Sequence, residues 1–229
     1  MLFDPLYLLI MAVTAGLGFW ASWRTKAAFA RWQKVGTARG LTGAEVAREI
    51  LRRSGAHDVK VERVAGFLSD HYDPRTRTLR LSPDVYDGRS VSAAGVAAHE
   101  VGHALQHQAH YWPLQVRSYL APAASFGGNL SMIVFGLGLA VGAVGLAKLG
   151  VVLFALMVAF TLITLPVEFD ASARAKRLLP EMGLVAGTEG RGISQVLGAA
   201  AMTYVAAAVS AIATLVYLIV RSGIGSDDR

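Results

Sequence analysis

Four long apolar segments constrain this sequence more than any other feature. They occupy residues 5–23, 126–147, 149–167 and 196–220. Each has about the 20 residues that a helix needs to cross the hydrocarbon core of a bilayer. The whole chain is 54% hydrophobic, with a mean hydropathy of +0.44. These properties predict a mainly α-helical integral membrane protein with four transmembrane helices.

Only Lys148 separates the middle two segments, which predicts a tight helical hairpin at that residue.

Basic residues are concentrated in two of the segments that connect the predicted spans. Of the 22 Lys and Arg residues, 15 lie between Arg24 and Arg117, and 4 more lie within residues 168–195. Since Lys and Arg accumulate on the cytoplasmic side of transmembrane helices, both segments are predicted to face the cytoplasm. The expected location is the cell inner (cytoplasmic) membrane, as a multi-pass protein. No basic residue precedes the first apolar segment, so we expect a retained anchor and not a signal peptide.

These patterns predict three domains. Residues 1–23 form an N-terminal transmembrane anchor, and residues 24–118 form a small α+β cytoplasmic domain. Residues 119–229 form a bundle of three transmembrane helices, in which residues 168–195 are a cytoplasmic loop.

The cytoplasmic domain carries its own signals for helices and strands. Thr42 and Glu45 have the spacing of a capping box at the start of a helix. Residues 78–81 have the composition of a β-strand that follows a turn. Ser90 or Ser92 can cap a further helix, which is predicted to run to about His110.

A zinc-binding pattern lies on this last helix. Residues 99–103 read His-Glu-Val-Gly-His, the pattern H-E-x-x-H. Two histidines four residues apart lie on one face of a helix and can together bind Zn²⁺. We therefore expect one zinc ion per chain, with His99 and His103 as ligands and Glu100 as the catalytic base. The alternative is a polar patch in which the two histidines only form hydrogen bonds. Zinc sites built from Cys are excluded, because the chain has no Cys.

A third ligand must come from another segment, because catalytic zinc usually has three protein ligands. His107 continues the four-residue spacing, but it lies about 12 Å along the helix from His99, too far to share one ion. Glu168 directly follows the third predicted span, and an acidic residue at a membrane boundary is a functional candidate. An ordinary interfacial charge is the alternative. Asp170, two residues later, points to a different side of a helix.

Two stretches of the sequence resemble a known family. They are "HYDPRTRTLRLSPDVYDGRSVSAAGVAAHEVGHALQH" and "LPVEFDASARAKRLL". Both are similar to the YugP-type neutral zinc metallopeptidases of bacterial membranes, and the resemblance covers nearly the whole chain. More distantly, the sequence is similar to the heat-shock membrane proteases and the CAAX prenyl proteases, which have a glutamate in an E-x-x-A-D-x-x-A pattern. The resemblance implies that Glu168 is the third zinc ligand. Ser172 stands where this pattern has an acid. Asp170 is a candidate for the same orienting role, and the alternative is that a different acceptor holds one of the histidines.

The resemblance implies a membrane-bound zinc-dependent metallopeptidase with a zincin-like, gluzincin-like cytoplasmic domain. In this hypothesis a zinc-activated water attacks the peptide bond at the cytoplasmic face, and Glu100 accepts and then returns a proton. The candidates for stabilising the oxyanion are His71, Tyr72, His107 and Arg174. A catalytically inactive zinc-binding membrane scaffold protein is the alternative. A transporter is disfavoured, because the predicted spans contain no interior charge.

The expected partners are a protein or peptide substrate, which includes membrane proteins, and the lipid bilayer. No nucleic acid is expected. The predicted strand at residues 78–81 is a candidate for binding substrate by strand addition, and an ordinary sheet edge is the alternative.

Overall fold

The structure, a computed structural model, describes residues 4–223, without the side chain of Phe126. Most of these residues are helical. In chain order the elements are α1 (Pro5–Gln33), α2 (Gly43–Arg53), β1 (Lys60–Arg63), β2 (His71–Asp73), β3 (Thr78–Leu81), α3 (Pro83–Tyr86), α4 (Val91–Gln108), α5 (Trp112–Ala140), α6 (Val144–Glu181) and α7 (Thr188–Ser222).

The chain forms two compact units. The first unit contains the residues up to Trp20, Gln115–Leu165 and the residues from Thr203 onwards, and the second contains Ala21–Leu114 and Pro166–Met202. Helices α1, α5, α6 and α7 contribute residues to both units. The predicted domain boundaries at residues 23 and 118 separate membrane segments from a cytoplasmic segment. The division into two compact units does not test them, so they stay a prediction.

Three helices, α1, α6 and α7, are long and apolar enough to cross a membrane. Helix α5 is a fourth candidate if its two halves, which are bent by 41°, form one span. Pro122 lies inside this helix, and proline is a common cause of helix bends because it lacks a backbone N–H group. The prediction of a mainly α-helical membrane protein is therefore confirmed, with three or four candidate spans.

The turn between the two middle apolar segments lies earlier than predicted. Helix α5 ends at Ala140 and α6 begins at Val144, so Lys148 lies inside α6 and the predicted turn at Lys148 is wrong. Gly142 adopts a φ of 71° in the turn, a conformation that glycine accepts at low cost. Helix α6 also continues beyond its apolar part to Glu181. Residues 168–181 of the predicted loop are therefore helical.

A three-stranded sheet lies in the second unit, with the order β1-β3-β2. Strand β1 pairs with β3 in parallel, and β2 pairs with β3 antiparallel. Because β3 is paired on both sides, it cannot bind a substrate strand, and the candidate role of residues 78–81 in strand addition is wrong.

Local capping signals set the starts of two helices in the second unit. The side chain of Thr42 accepts a hydrogen bond from the backbone N–H of Glu45, and the Glu45 side chain completes the predicted capping box of α2. The side chain of Ser90 accepts from the N–H of Ala93 and caps α4. Both helices contribute to the hydrophobic core of this unit. The burial of α4 along most of its length places the H-E-x-x-H pattern inside the unit.

Candidate metal centre

Two helices of the second unit supply the residues of the site. His99, Glu100 and His103 lie on α4, and Glu168 lies on α6 two residues after Pro166. Glu168 is only 2% exposed, and Glu100 and His103 are each 8% exposed. A buried carboxylate is costly unless it has partners of opposite charge or a metal ion. The surroundings of Glu168 must therefore provide such a partner.

The Nε2 atoms of both histidines face the Glu168 carboxylate. Oε2 of Glu168 lies 3.3 Å from Nε2 of His99 and 3.6 Å from Nε2 of His103. Two ligands at about 2.1 Å from a tetrahedral zinc ion are about 3.4 Å apart, which agrees with both distances. Among the residues that the structure describes, these three side chains form the group that could hold a metal ion, and their ligand atoms all lie within 4.8 Å of one another. Two imidazoles and one carboxylate are a donor set that zinc accepts.

The charges around His103 also favour the binding of a cation at this site. Burial by itself lowers the pKa of His103, but the hydrogen bond with Glu168 and the negative charges of Glu100 and Glu168 outweigh this effect and raise the pKa. The negative charges of Glu100 and Glu168 therefore favour a proton on this imidazole. A metal cation can take the place of that proton.

The two helices are close together at Gly102. A Cβ atom added at this residue would lie 2.7 Å from the backbone oxygen of Ala171 and 3.0 Å from its Cα. Both atoms belong to the backbone of α6, so a larger residue would push α6 away from α4. The glycine of the H-E-x-x-H pattern therefore sets the spacing between the histidines and Glu168.

We expect Gly102→Ala to destabilise the protein by about 1–3 kcal/mol, the usual cost of overpacking, and to weaken zinc binding. Gly95→Ala is the matched control on the same helix, since its added Cβ would meet Ile193 at an ordinary 3.5 Å. Thermal unfolding in detergent and zinc affinity measure both effects. Equal behaviour of the two variants would contradict the proposed role of the close helix contact.

The opposite nitrogen of each histidine is also hydrogen-bonded. Nδ1 of His99 lies 3.0 Å from Oγ of Ser172, and Nδ1 of His103 lies 3.0 Å from Oε1 of Gln106. Ser172, which occupies the position of the acid in the E-x-x-A-D-x-x-A pattern, therefore contacts a histidine. Gln106 was not among the site residues predicted from the sequence. The signal that could have identified it is a polar residue on an apolar helix, three positions after His103.

Asp170 contributes to the site indirectly. Nε2 of Gln106 donates to the backbone oxygen of Val167 and to Oδ2 of Asp170, both at 2.8 Å. Nε of Arg174 donates to the same Asp170 oxygen at 2.6 Å. Asp170 is thus linked to His103 through Gln106, and the Arg174 guanidinium is engaged by Asp170.

A second acidic residue lies near Glu100. Burial raises the pKa of Asp70, hydrogen bonds from Ser82 oppose this rise, and the negative charge of Glu100 adds to it. Ser82 donates to Asp70 through its backbone N–H at 2.7 Å and through its hydroxyl at 3.0 Å. Asp70 therefore lies within electrostatic range of the predicted base.

His107 forms a separate pair with Tyr72. The Tyr72 hydroxyl and Nδ1 of His107 are 2.8 Å apart. Burial raises the pKa of Tyr72 to about 12 and lowers the pKa of His107. A pocket of about 190 Å³, lined in part by Asp58 and Arg77, lies beside this pair. His107 is outside the metal-binding group, as its distance along the helix from His99 predicted.

Comparison with known proteins identifies relatives over nearly the whole chain. Residues 7–223 match the family described as "putative neutral zinc metallopeptidase". The "Putative membrane protease YugP" of Bacillus subtilis (strain 168) is 48% identical over 204 residues, which cover 89% of this chain and 91% of that protein. No solved structure matches. The helical membrane segments, the buried His-His-Glu cluster and these matches agree, and the chain belongs to this family of neutral zinc metallopeptidases.

Proposed function

We propose that this protein is a membrane-bound zinc-dependent metallopeptidase that hydrolyses peptide bonds at the cytoplasmic face of the inner membrane. The observation that carries the proposal is the convergence of two Nε2 atoms and one carboxylate oxygen at 3.3 and 3.6 Å. The family and the membrane protease relative support the same activity. In this proposal His99, His103 and Glu168 are the ligands of one zinc ion.

Zinc, when bound, would lower the pKa of a water molecule towards about 7 and polarise the scissile carbonyl. The residues of the chain orient the ligands and move the proton. Glu100 follows His99 directly on α4, so its side chain leaves the helix about 100° from the ligand edge, and it serves as a base and not as a ligand.

Proton transfer through Glu100 completes the reaction. A Glu100 carboxylate oxygen accepts a proton from water as the water oxygen forms its bond to the peptide carbonyl carbon. Glu100 then donates that proton to the peptide nitrogen as the C–N bond breaks, which gives a free carboxyl group and a free amine. General base catalysis of this kind contributes about 10²–10⁴-fold to the rate.

The basic residues, together with the cluster, support the proposed cytoplasmic orientation. The proposed ligands come from the segment before residue 118 and from the segment that begins at residue 168, so both segments must lie on one side of the membrane. These two segments carry 19 of the 22 basic residues. The positive-inside rule therefore favours the cytoplasm for the zincin-like domain and its site.

Zinc content and peptidase activity test the proposal directly. We expect the purified protein to contain close to one zinc ion per chain and to cleave a general peptide substrate such as casein. Removal of the metal by a chelator should abolish cleavage, and added zinc should restore it. Zinc binding without any cleavage of diverse peptides would instead support the alternative, a zinc-binding scaffold. Absence of bound metal would reject both functions.

Topology reporters test the orientation. Fusions after residue 40 and after residue 185 should both report the cytoplasm, because both positions lie in the basic segments. A fusion at the 141–143 turn, which the structure places between α5 and α6, should report the outer side. Opposite locations for residues 40 and 185 would contradict the proposed site.

A further inference from the structure

The Gln106 side chain occupies a fully buried position between His103 and α6, with 0% exposure. Its carboxamide makes three hydrogen bonds. Oε1 lies 3.0 Å from Nδ1 of His103, while Nε2 lies 2.8 Å from the backbone oxygen of Val167 and 2.8 Å from Oδ2 of Asp170. A buried amide with all these partners has one favourable orientation.

Chemistry fixes that orientation. A backbone carbonyl and a carboxylate can only accept hydrogen bonds, so the group that faces Val167 and Asp170 must be the NH₂ of the amide. Rotation of the amide by 180° would bring Oε1 against two oxygens and leave buried acceptors without donors, which is costly. Arg174 donates to the same oxygen of Asp170 at 2.6 Å and keeps this carboxylate in place.

The fixed amide in turn fixes the proton on His103. The amide oxygen Oε1 only accepts, so Nδ1 of His103 must carry a hydrogen. In a neutral imidazole with a hydrogen on Nδ1, the lone pair is on Nε2. Nε2 is the atom that faces Glu168 at 3.6 Å.

We propose that Gln106 is a positioning residue that holds His103 in the Nδ1–H tautomer and so directs the Nε2 lone pair to the zinc ion. The part of this inference that concerns zinc binding rests on the proposed function. Outer hydrogen-bond partners of this type fix the ring and typically change metal affinity by about 10–100-fold. His99 differs, because the Ser172 hydroxyl that it contacts can either donate or accept.

Three variants test the inference. Gln106→Leu removes the acceptor at similar volume. The double variant Gln106→Glu with Asp170→Asn keeps an acceptor for His103 and the total charge, and it places a donor at residue 170, but it loses the hydrogen bond to the backbone oxygen of Val167. Gln108→Leu is the matched control, the same substitution at an exposed position of the same helix.

Two measurements are made on each full-length variant in detergent. Zinc affinity is obtained by competition with a fluorescent chelator. The tautomer of His103 is read from ¹⁵N NMR of metal-free protein labelled in histidine, at a pH where the ring is neutral, with its signal assigned by its loss in His103→Asn. Thermal unfolding reports whether each variant is folded.

We expect the wild type and Gln108→Leu to show the Nδ1–H tautomer and equal zinc affinity. Gln106→Leu should lose the tautomer preference and bind zinc about 10–100-fold more weakly. The double variant should recover the tautomer and most of the affinity. This recovery distinguishes an orienting role from a packing role, and it keeps the test valid if Gln106→Leu does not fold.

Two results would overturn the inference. One is a wild-type His103 with its hydrogen on Nε2, and the other is a double variant that fails to recover the tautomer although it folds. A wild type with the Nδ1–H tautomer but no zinc binding would reject the proposed function and leave the assignment of Gln106 intact. The NMR measurement therefore separates the two failures.

Discussion

Replacing Glu168 with glutamine is expected to weaken zinc binding by more than about 100-fold and to abolish peptide hydrolysis. Loss of an outer hydrogen-bond partner costs about 10–100-fold in metal affinity, and loss of a ligand should cost more. Glutamine has nearly the same shape as glutamate, so packing around this 2% exposed residue is retained. The amide is neutral and is a poorer ligand for a divalent cation than a carboxylate. Zinc titration and peptide cleavage of the purified variant measure both effects.

Glu181→Gln is the matched control for this experiment. Glu181 lies on the same helix α6 but is exposed, so the same change in charge should leave zinc affinity and cleavage at wild-type values. Full zinc occupancy in Glu168→Gln, combined with zinc loss in Asp170→Ala, would show that the carboxylate ligand has been misassigned.

Replacing Glu100 with glutamine is expected to separate metal binding from catalysis. The variant should bind zinc with nearly wild-type affinity, because Glu100 is outside the group of ligand atoms. Its peptide hydrolysis should fall by about 10²–10⁴-fold, since the amide cannot accept the proton of the attacking water. Zinc content and the rate of peptide cleavage, measured on the same preparation, test the two statements together.

His99→Ala supplies the contrast for Glu100→Gln. It removes a ligand, so zinc and hydrolysis should be lost together. If Glu100→Gln lost zinc as completely as His99→Ala, then Glu100 would be a ligand and the proposed division of roles would be wrong. If Glu100→Gln retained full hydrolysis, another group would have to accept the proton.

Local sequence signals were sufficient for the main elements of the fold. The apolar segments predicted the membrane helices because a helix in lipid must be long and apolar, whatever its neighbours are. Two capping residues marked the starts of two helices, since a cap involves only residues within one turn. They are Thr42 and Ser90, and Ser90 was one of two candidate caps for its helix. The spacing of His99 and His103 placed both on one face of a helix for the same reason.

The turn between α5 and α6 shows where such signals fail. Residues 141–143 are Val-Gly-Ala, as apolar as the helices on either side, so hydropathy does not mark the turn. Lys148 looked like the natural break because it is charged, yet a lysine side chain can lie within a helix and extend its amine towards water. The backbone conformation of Gly142 defines the turn. The hydropathy of the sequence does not reveal this conformation.

The sequence by itself determined the membrane helices and the H-E-x-x-H helix, and through its resemblance to a family it made Glu168 a candidate for the third ligand. Only the tertiary structure brought Glu168 within 3.6 Å of histidines that lie at least 65 residues earlier in the chain. It also placed Ser172 and Gln106 against the opposite ring nitrogens. The physical reason is that helix periodicity defines which residues share a face but not what packs against that face. Here the partner is decided by the close approach of α4 and α6 at Gly102, where a side chain would collide with the backbone of Ala171.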